Sequence, residues 1–542
     1  MSNRKEELEK LEEQRAREKE QRLREAPFFA NHPKVMTRRQ MIARGFLAGA
    51  STVFYPGLIN FLSEKRLSAH SYDCLPPGSS ESPMAPFVVI DASGGNPLAA
   101  EFCVGGMGGQ TDFYANYQNI GIPNALRNTP TLFDPDFEFG VALHKNSALL
   151  EGLRAGLPPQ YRASVDGGVV CSQLDNDTSA NPINASQLVA KIRYGTLVAA
   201  AGTSNSMSGG NSNLVQGSYD AKKDPVLCQN RNQARSIVDQ GVIYTALANN
   251  KDRADMVRKA LADMSEPQLS RFTNMNLSDQ LKNLVGCGYA GTPDLLRQFD
   301  GTAVFPDTNI AEPVYNQLVT AFGATPENNS LAAVSRLVIG GFSGVGSFEE
   351  GGYDSHDGTA RSTRNNSFKL GRHVGRVLHY AALLNKPVFI QLITDGSMGA
   401  STDTPDNVAS TGTRGGPGGT PSADFQPNGE GYFARPGDSA SQGLMAFFAY
   451  VPGKTRGDLI QSTSQAQGRQ IGRFKTDGSG ADTSFLSTSA LANVGEAARA
   501  VAYNYLALHG QEDRISELST DGRNPFTGQY AAHYLIFKRA IG

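Results

Sequence analysis

Four side chains in this chain are of types that bind hard cations, and each sits where such groups can converge. Asp91 closes the apolar run Pro86-Phe87-Val88-Val89-Ile90-Asp91. Asp354 and His356 lie in the glycine-rich stretch Gly351-Gly352-Tyr353-Asp354-Ser355-His356-Asp357, which comes after the apolar run Leu337-Val338-Ile339. Asp395 follows Pro387-Val388-Phe389-Ile390-Gln391-Leu392-Ile393-Thr394. Short apolar runs bounded by turn residues read as buried strands. In open α/β sheets, ligands gather at the carboxyl ends of parallel strands. Three carboxylates and an imidazole converging there would hold one or two divalent cations: zinc, magnesium, manganese or calcium. Such a centre polarises a phosphate or sulfate ester and lowers the pKa of an attacking group. Ser93 and Thr178 are nucleophile candidates by position only. Taken singly, each Asp also has an ordinary use, because Asp after a strand commonly caps a helix or forms a turn. No organic cofactor is expected.

The elements that must position these residues follow from pattern. Residues 366–385 read as a helix between the second and third apolar runs. Strand, helix, strand in that order is a βαβ unit, which implies parallel pairing. Val169-Val170-Cys171 and Leu444–Val451 read as further strands. Helical spacing is expected over Val141–Leu153, 184–201, Val314–Phe322, Leu331–Arg336 and 487–508. Residues 230 to about 330 carry helix signals with little strand signal and read as a helical insertion. Residues 399–440 are rich in Gly, Thr, Ser, Pro and Asp and read as a long flexible loop. The expected fold is α/β, a mostly parallel sheet flanked by helices, occupying residues 87–542 after a Pro/Ser/Gly-rich linker at 71–86.

Composition bounds the alternatives. With 542 residues, 39% of them hydrophobic and 19% charged, the chain has apolar material for a sizeable core, so wholesale disorder is excluded. A net charge of -2 gives no basic footprint of the size a duplex requires, so no nucleic-acid partner is expected. The five cysteines, at 74, 103, 171, 228 and 287, form no CxxC pair, which argues against a structural zinc site. In an exported protein, disulfides among Cys103, Cys171, Cys228 and Cys287 are plausible, with pairing that sequence does not give.

The N-terminus reads as an address. Residues 1–25 hold eight Lys/Arg and eight Asp/Glu and have no apolar face wide enough to pack on a core, so residues 1–36 form a charged tail. Thr37-Arg38-Arg39-Gln40-Met41-Ile42 is followed by eighteen uncharged residues, Gly45 to Leu62. Paired arginines heading an uncharged apolar segment look like a twin-arginine signal over residues 37–70. This predicts the twin-arginine translocase as a partner during export and the periplasm or cell envelope of a bacterium as the destination. If uncleaved, residues 45–62 are just long enough to anchor the chain in the membrane.

Taken together, the signal, VVIDASGGN, GGYDSHDG and ITDGSMG come in an order that resembles one family. It is an uncharacterised, twin-arginine-exported bacterial domain family of the alkaline phosphatase/sulfatase-like superfamily. The resemblance covers about residues 85–510. It implies an alkaline-phosphatase-like sheet, with Asp91, Asp354, His356 and Asp395 at metal-binding positions. The chain also departs from the pattern. Ser355 stands for the usual Thr, the stretch 436–443 lacks the histidine of an Asp-His-Gly-like segment, and Gly396 stands where His often follows the acidic residue. His373, His379 and His509 fall in or at the end of predicted helices, where packing and helix-end roles suit them. Two main functions therefore stay open: a divergent metal-dependent hydrolase of phosphate or sulfate esters, or a catalytically degenerate protein that binds an envelope partner or serves a structural role. A glycan-binding module, with aromatics at 113–117 available for stacking, is a third.

Overall fold

Six consecutive residues, Phe87 to Ala92, are wholly buried. A strand covered on both faces belongs inside a sheet with layers on either side. The computed structural model describes most of residues 84–206, 225–238, 313–353, 360–394, 442–461, 469–482 and 494–542. The chain divides into Met1–Ile59, which lies outside the described residues, and Asn60–Gly542, which holds the fold below.

The strands in chain order are β1 (Phe87–Ala92), β2 (Pro135–Asp136), β3 (Leu143–His144), β4 (Val165–Gln173), β5 (Val198–Gly202), β6 (Val226–Leu227), β7 (Ser343–Glu350), β8 (Val388–Thr394), β9 (Gln442–Tyr450) and β10 (Gln470–Ile471). β2 and β3 form a small antiparallel pair, and the other eight make one sheet in the order β10-β4-β9-β8-β1-β7-β5-β6. β1 pairs in parallel with β7 on one side and β8 on the other. β9 is antiparallel to both its neighbours, and the remaining pairings are parallel. The architecture is α/β with a mostly parallel sheet.

The longer helices are α1 (Ala148–Gly156), α2 (Arg231–Val238), α3 (Pro313–Phe322), α4 (Ser330–Ile339), α5 (Ala360–Leu383) and α6 (Val494–Leu508). Side chains of α1, α4 and α5 share one core with Val88 and Ile90, while α6 shares another with Phe87 and Val89. The period-two alternation of β1 thus feeds a core on each face of the sheet. On the α6 side, Phe87 stacks on Phe389, which stacks on Phe447, with ring centroids 5.3 and 5.5 Å apart. Tyr505 meets the first two rings edge-on. On the opposite face, α1 and α5 cross at glycines. A Cβ on Gly371 would lie 2.1 Å from the Leu149 carbonyl oxygen, and one on Gly152 would lie 2.0 Å from that of Phe368.

Several expectations are corrected. Leu337-Val338-Ile339 is the last turn of α4, not a strand. Asn329 caps that helix by accepting from the Ala332 amide at 3.2 Å, and because Leu331 to Ile339 are all buried the apolar run carries no strand meaning. The strand is the next segment, Ser343–Glu350, whose glycines hide it. A Cβ on Gly346 would come within 2.5 Å of Val338, so α4 packs directly on this strand. Among the described residues of 184–201, helix is confined to Ser186–Val189, and Val198–Gly202 is strand β5, whose small residues give little β signal. Val141–Leu153 is divided between strand β3 and helix α1, which starts after Ser147 accepts from the Leu150 amide.

The linker does not extend to residue 86. Met84 and Ala85 are buried because their backbone is held on several sides. Arg193 donates to the Met84 carbonyl, Tyr505 to the Ala85 carbonyl, and the Ala85 amide to His509. Cys103, Cys171 and Cys228 are buried thiols rather than disulfide partners of one another. Cys74, Cys287, the loop 399–440 and most of the helical insertion, including 239–312, lie outside the described residues.

Candidate functional site

β1, β7 and β8 are adjacent and parallel, so their carboxyl ends form one edge. Asp91 is level with Glu349 of β7 and Ile393 of β8, and Ala92 is level with Glu350 and Thr394. Asp91 is fully buried. Asp354 and His356 follow Tyr353 by one and three residues, and Asp395 follows Thr394 directly. Asp354, His356 and Asp395 themselves lie outside the described residues. The fold therefore brings Asp91 together with the residues that lead into the other three.

Those leading residues are fastened to β1 by specific bonds. The Ser93 amide donates to the Glu350 carbonyl at 3.0 Å, and the Tyr353 amide donates to the Ser93 carbonyl at 3.2 Å. On the β8 side, Thr394 Oγ1 donates to the Ala92 carbonyl at 2.9 Å and accepts from the Asn96 amide at 2.7 Å. Gly94 and Gly95 have φ of 110° and 101°, which lets the chain fold back from β1 so that Asn96 reaches Thr394. The buried Asn96 side chain also lies 3.4 Å from Ser367 Oγ of α5.

A charged network adjoins this edge. Glu350 Oε1 accepts from Lys369 Nζ at 2.7 Å. Glu350 Oε2 accepts from His373 Nε2 at 3.0 Å and from the Tyr353 hydroxyl at 2.8 Å. Burial works against the Glu350 charge, but the hydrogen bonds and charges of His373 and Lys369 outweigh it and hold its pKa at about 2. Burial also pushes Tyr353 well above the usual phenol range, assisted by the Glu350 charge and, more weakly, by Asp91. His373 sits below the ordinary imidazole value because burial outweighs the pull of Glu350. One turn earlier on α5, Asn366 Nδ2 donates to the Gly352 carbonyl at 3.0 Å.

Sequence reasoning singled out Asp91 and the Gly-Gly-Tyr turn but missed Glu350, Lys369, His373, Asn96 and Thr394. One signal was present. Asn366, Lys369 and His373 share a helix face at i, i+3 and i+7, which makes a polar stripe along α5. Among the described residues, no group of three or more His, Cys, Asp or Glu side chains is arranged to hold a metal ion.

Three of the other described histidines, His144, His509 and His379, have structural partners. His144 Nε2 is 2.8 Å from the Ala100 carbonyl, and burial lowers its pKa to about 4. His509 Nδ1 donates to the Tyr505 carbonyl at 2.7 Å in the last turn of α6, and burial again brings its pKa to about 4. His379 packs against Tyr161. Compared with protein-family models, with curated proteins and with solved structures, the chain matches none.

Proposed function

We propose that this chain is an exported protein of alkaline phosphatase/sulfatase-like architecture and a divergent metal-dependent hydrolase of phosphate or sulfate esters. The observation that carries the reading is the adjacency of β1, β7 and β8. Their parallel pairing gathers Asp91 and the chain leading into Asp354, His356 and Asp395 at one sheet edge. The order of parts agrees with the resemblance: a first strand into a glycine turn, a Gly-Tyr-Asp segment, the long helix α5, then a strand running into an Asp. A mostly parallel sheet flanked by helices is the architecture it implies.

In this reading Asp91, Asp354, His356 and Asp395 hold one or two divalent ions. The metal, when bound, polarises the ester oxygens and lowers the pKa of the attacking group. Asp91 suits this role by its place, fully buried near the carboxyl end of β1 and level with Glu349 of β7 and Ile393 of β8. Ser93 remains a nucleophile candidate, half-buried with its backbone fixed between Glu350 and Tyr353, while Thr178 lies outside the described residues. The twin-arginine segment at 37–42 supports export through the translocase to the periplasm or envelope. Among the described residues, no helix is long and apolar enough to cross a membrane. Residues 45–62, the proposed anchor if the signal stays uncleaved, lie outside them.

The second reading, a degenerate envelope protein with a protein partner, is favoured by the histidines. His144, His379 and His509 serve the core, and His373 is bound to Glu350. Metal content separates the two readings. The hydrolase reading expects near-stoichiometric zinc, magnesium, manganese or calcium in the full chain purified without chelator, lost in Asp91→Asn and Asp395→Asn. A folded chain that stays metal-free after dialysis against all four ions refutes it and leaves the binding reading.

A further inference from the structure

The carboxyl edge of β1 and β7 is tied to α5 by four side chains that are not themselves expected ligands. Tyr353 is the hinge of this arrangement. Its amide bonds to Ser93, two residues beyond Asp91, and its hydroxyl bonds to Glu350, the last residue of β7. Glu350 is in turn gripped by Lys369 and His373, one helical turn apart on α5. The Lys369 ammonium also stands 5.5 Å from the centre of the Tyr353 ring, within cation–π range. The ring is buried, so the hydroxyl has a fixed direction. The edge of the His373 ring is packed against Phe348, with centroids 5.5 Å apart.

All three donors converge on one carboxylate, two from α5 and one from the turn after β7. A carboxylate held by three donors is rigid in both distance and direction. We propose that the Glu350–Tyr353–Lys369–His373 network is a positioning device: it fixes the Gly352-Tyr353 turn against the Asp91–Ser93 loop, and through that the cation affinity of the Asp91 edge. The inference rests on the metal-centre reading above. Outer residues that orient metal ligands typically contribute 10–100-fold in affinity.

The test uses the full chain and Mn²⁺ as the probe, titrated by calorimetry into wild type, Tyr353→Phe, Lys369→Met and Lys369→Arg. Tyr353→Phe removes one donor and keeps the ring, so the chain still folds, with a metal-free Tm lowered by the loss of one hydrogen bond. The expected result is roughly 10-fold or more weaker Mn²⁺ binding in Tyr353→Phe and Lys369→Met, with most of the affinity retained in Lys369→Arg. A purely structural role would lower Tm and leave the Mn²⁺ affinity of the folded protein alone, so unchanged affinity in Tyr353→Phe and Lys369→Met overturns the proposal. Should wild type take up no Mn²⁺, zinc, magnesium or calcium, the metal-centre reading fails by itself. Hydrogen exchange at the Ser93 and Tyr353 amides then decides the positioning role. Faster exchange in Tyr353→Phe supports the tie between the two segments, and unchanged exchange overturns it.

Discussion

The crossing of α1 and α5 offers a sharp test, because four glycines set its distance. Gly152 and Gly156 on α1 face Gly371 and Gly375 on α5, and the Cβ of an alanine at any of them would come within 3.0 Å of backbone on the other helix. At Gly371 the gap to the Leu149 oxygen would be 2.1 Å. An ordinary contact requires the helices to part by about 1 Å or more, since carbon packs best at roughly 3.5–4.0 Å from its neighbours. Neither contacting atom is the end of a flexible side chain, so the cost falls on helix position.

Overpacking of this kind costs about 1–3 kcal/mol, and backbone contact belongs at the upper end. Alanine returns about 1 kcal/mol of helix propensity. The net expectation for Gly371→Ala is a loss of about 2 kcal/mol, read as a lower Tm of the purified chain. Gly457→Ala is the matched control, since no atom lies within 4 Å of its Cβ. It should stay within about 0.5 kcal/mol of wild type. The double variant Gly152→Ala/Gly371→Ala should lose less than the sum of its parts, because one separation relieves both clashes. A Gly371→Ala protein that melts as high as the Gly457→Ala control would refute the argument. Because α5 also carries Lys369 and His373, the same variant should weaken any cation binding at the Asp91 edge.

Other expectations are simpler. His509 has a folded pKa near 4, below the unfolded value of 6.5, so the unfolded chain takes up the proton first. Stability is therefore complete above pH 6.5 and falls as pH drops from there toward 4. By pH 4.5 this group accounts for a loss of about 2.5 kcal/mol, and the difference between His509→Gln and wild type in urea melts at pH 8 and 4.5 should shrink by about that amount. Cys171 and Cys228 are buried, and burial lifts the Cys228 thiol to about 12, so iodoacetamide should label both only after unfolding. Ser147 caps α1 and donates to the buried Glu101 carboxylate at 2.7 Å. Ser147→Ala should cost about 1–3 kcal/mol by thermal melt, and a neutral result would show that neither bond contributes.

The sequence by itself determined the elements whose pattern is local. β1, β8 and β9 announced themselves as apolar runs, and α3 and α5 as helical spacing, because burial on both faces or on one stripe writes a period into the chain. It also placed Asp91 at the end of a strand and Asp395 after another. Only the tertiary structure decided that Ser343–Glu350 is a strand and Leu337–Ile339 a helix. A glycine-rich strand is held by its two neighbours and by α4 lying on it, while a fully buried helix end looks like any apolar run. The grip of Lys369 and His373 on Glu350 was equally hidden. Those residues are nineteen and twenty-three positions apart in the chain, and they meet only because α5 returns across β1 from the end of β7 to the start of β8.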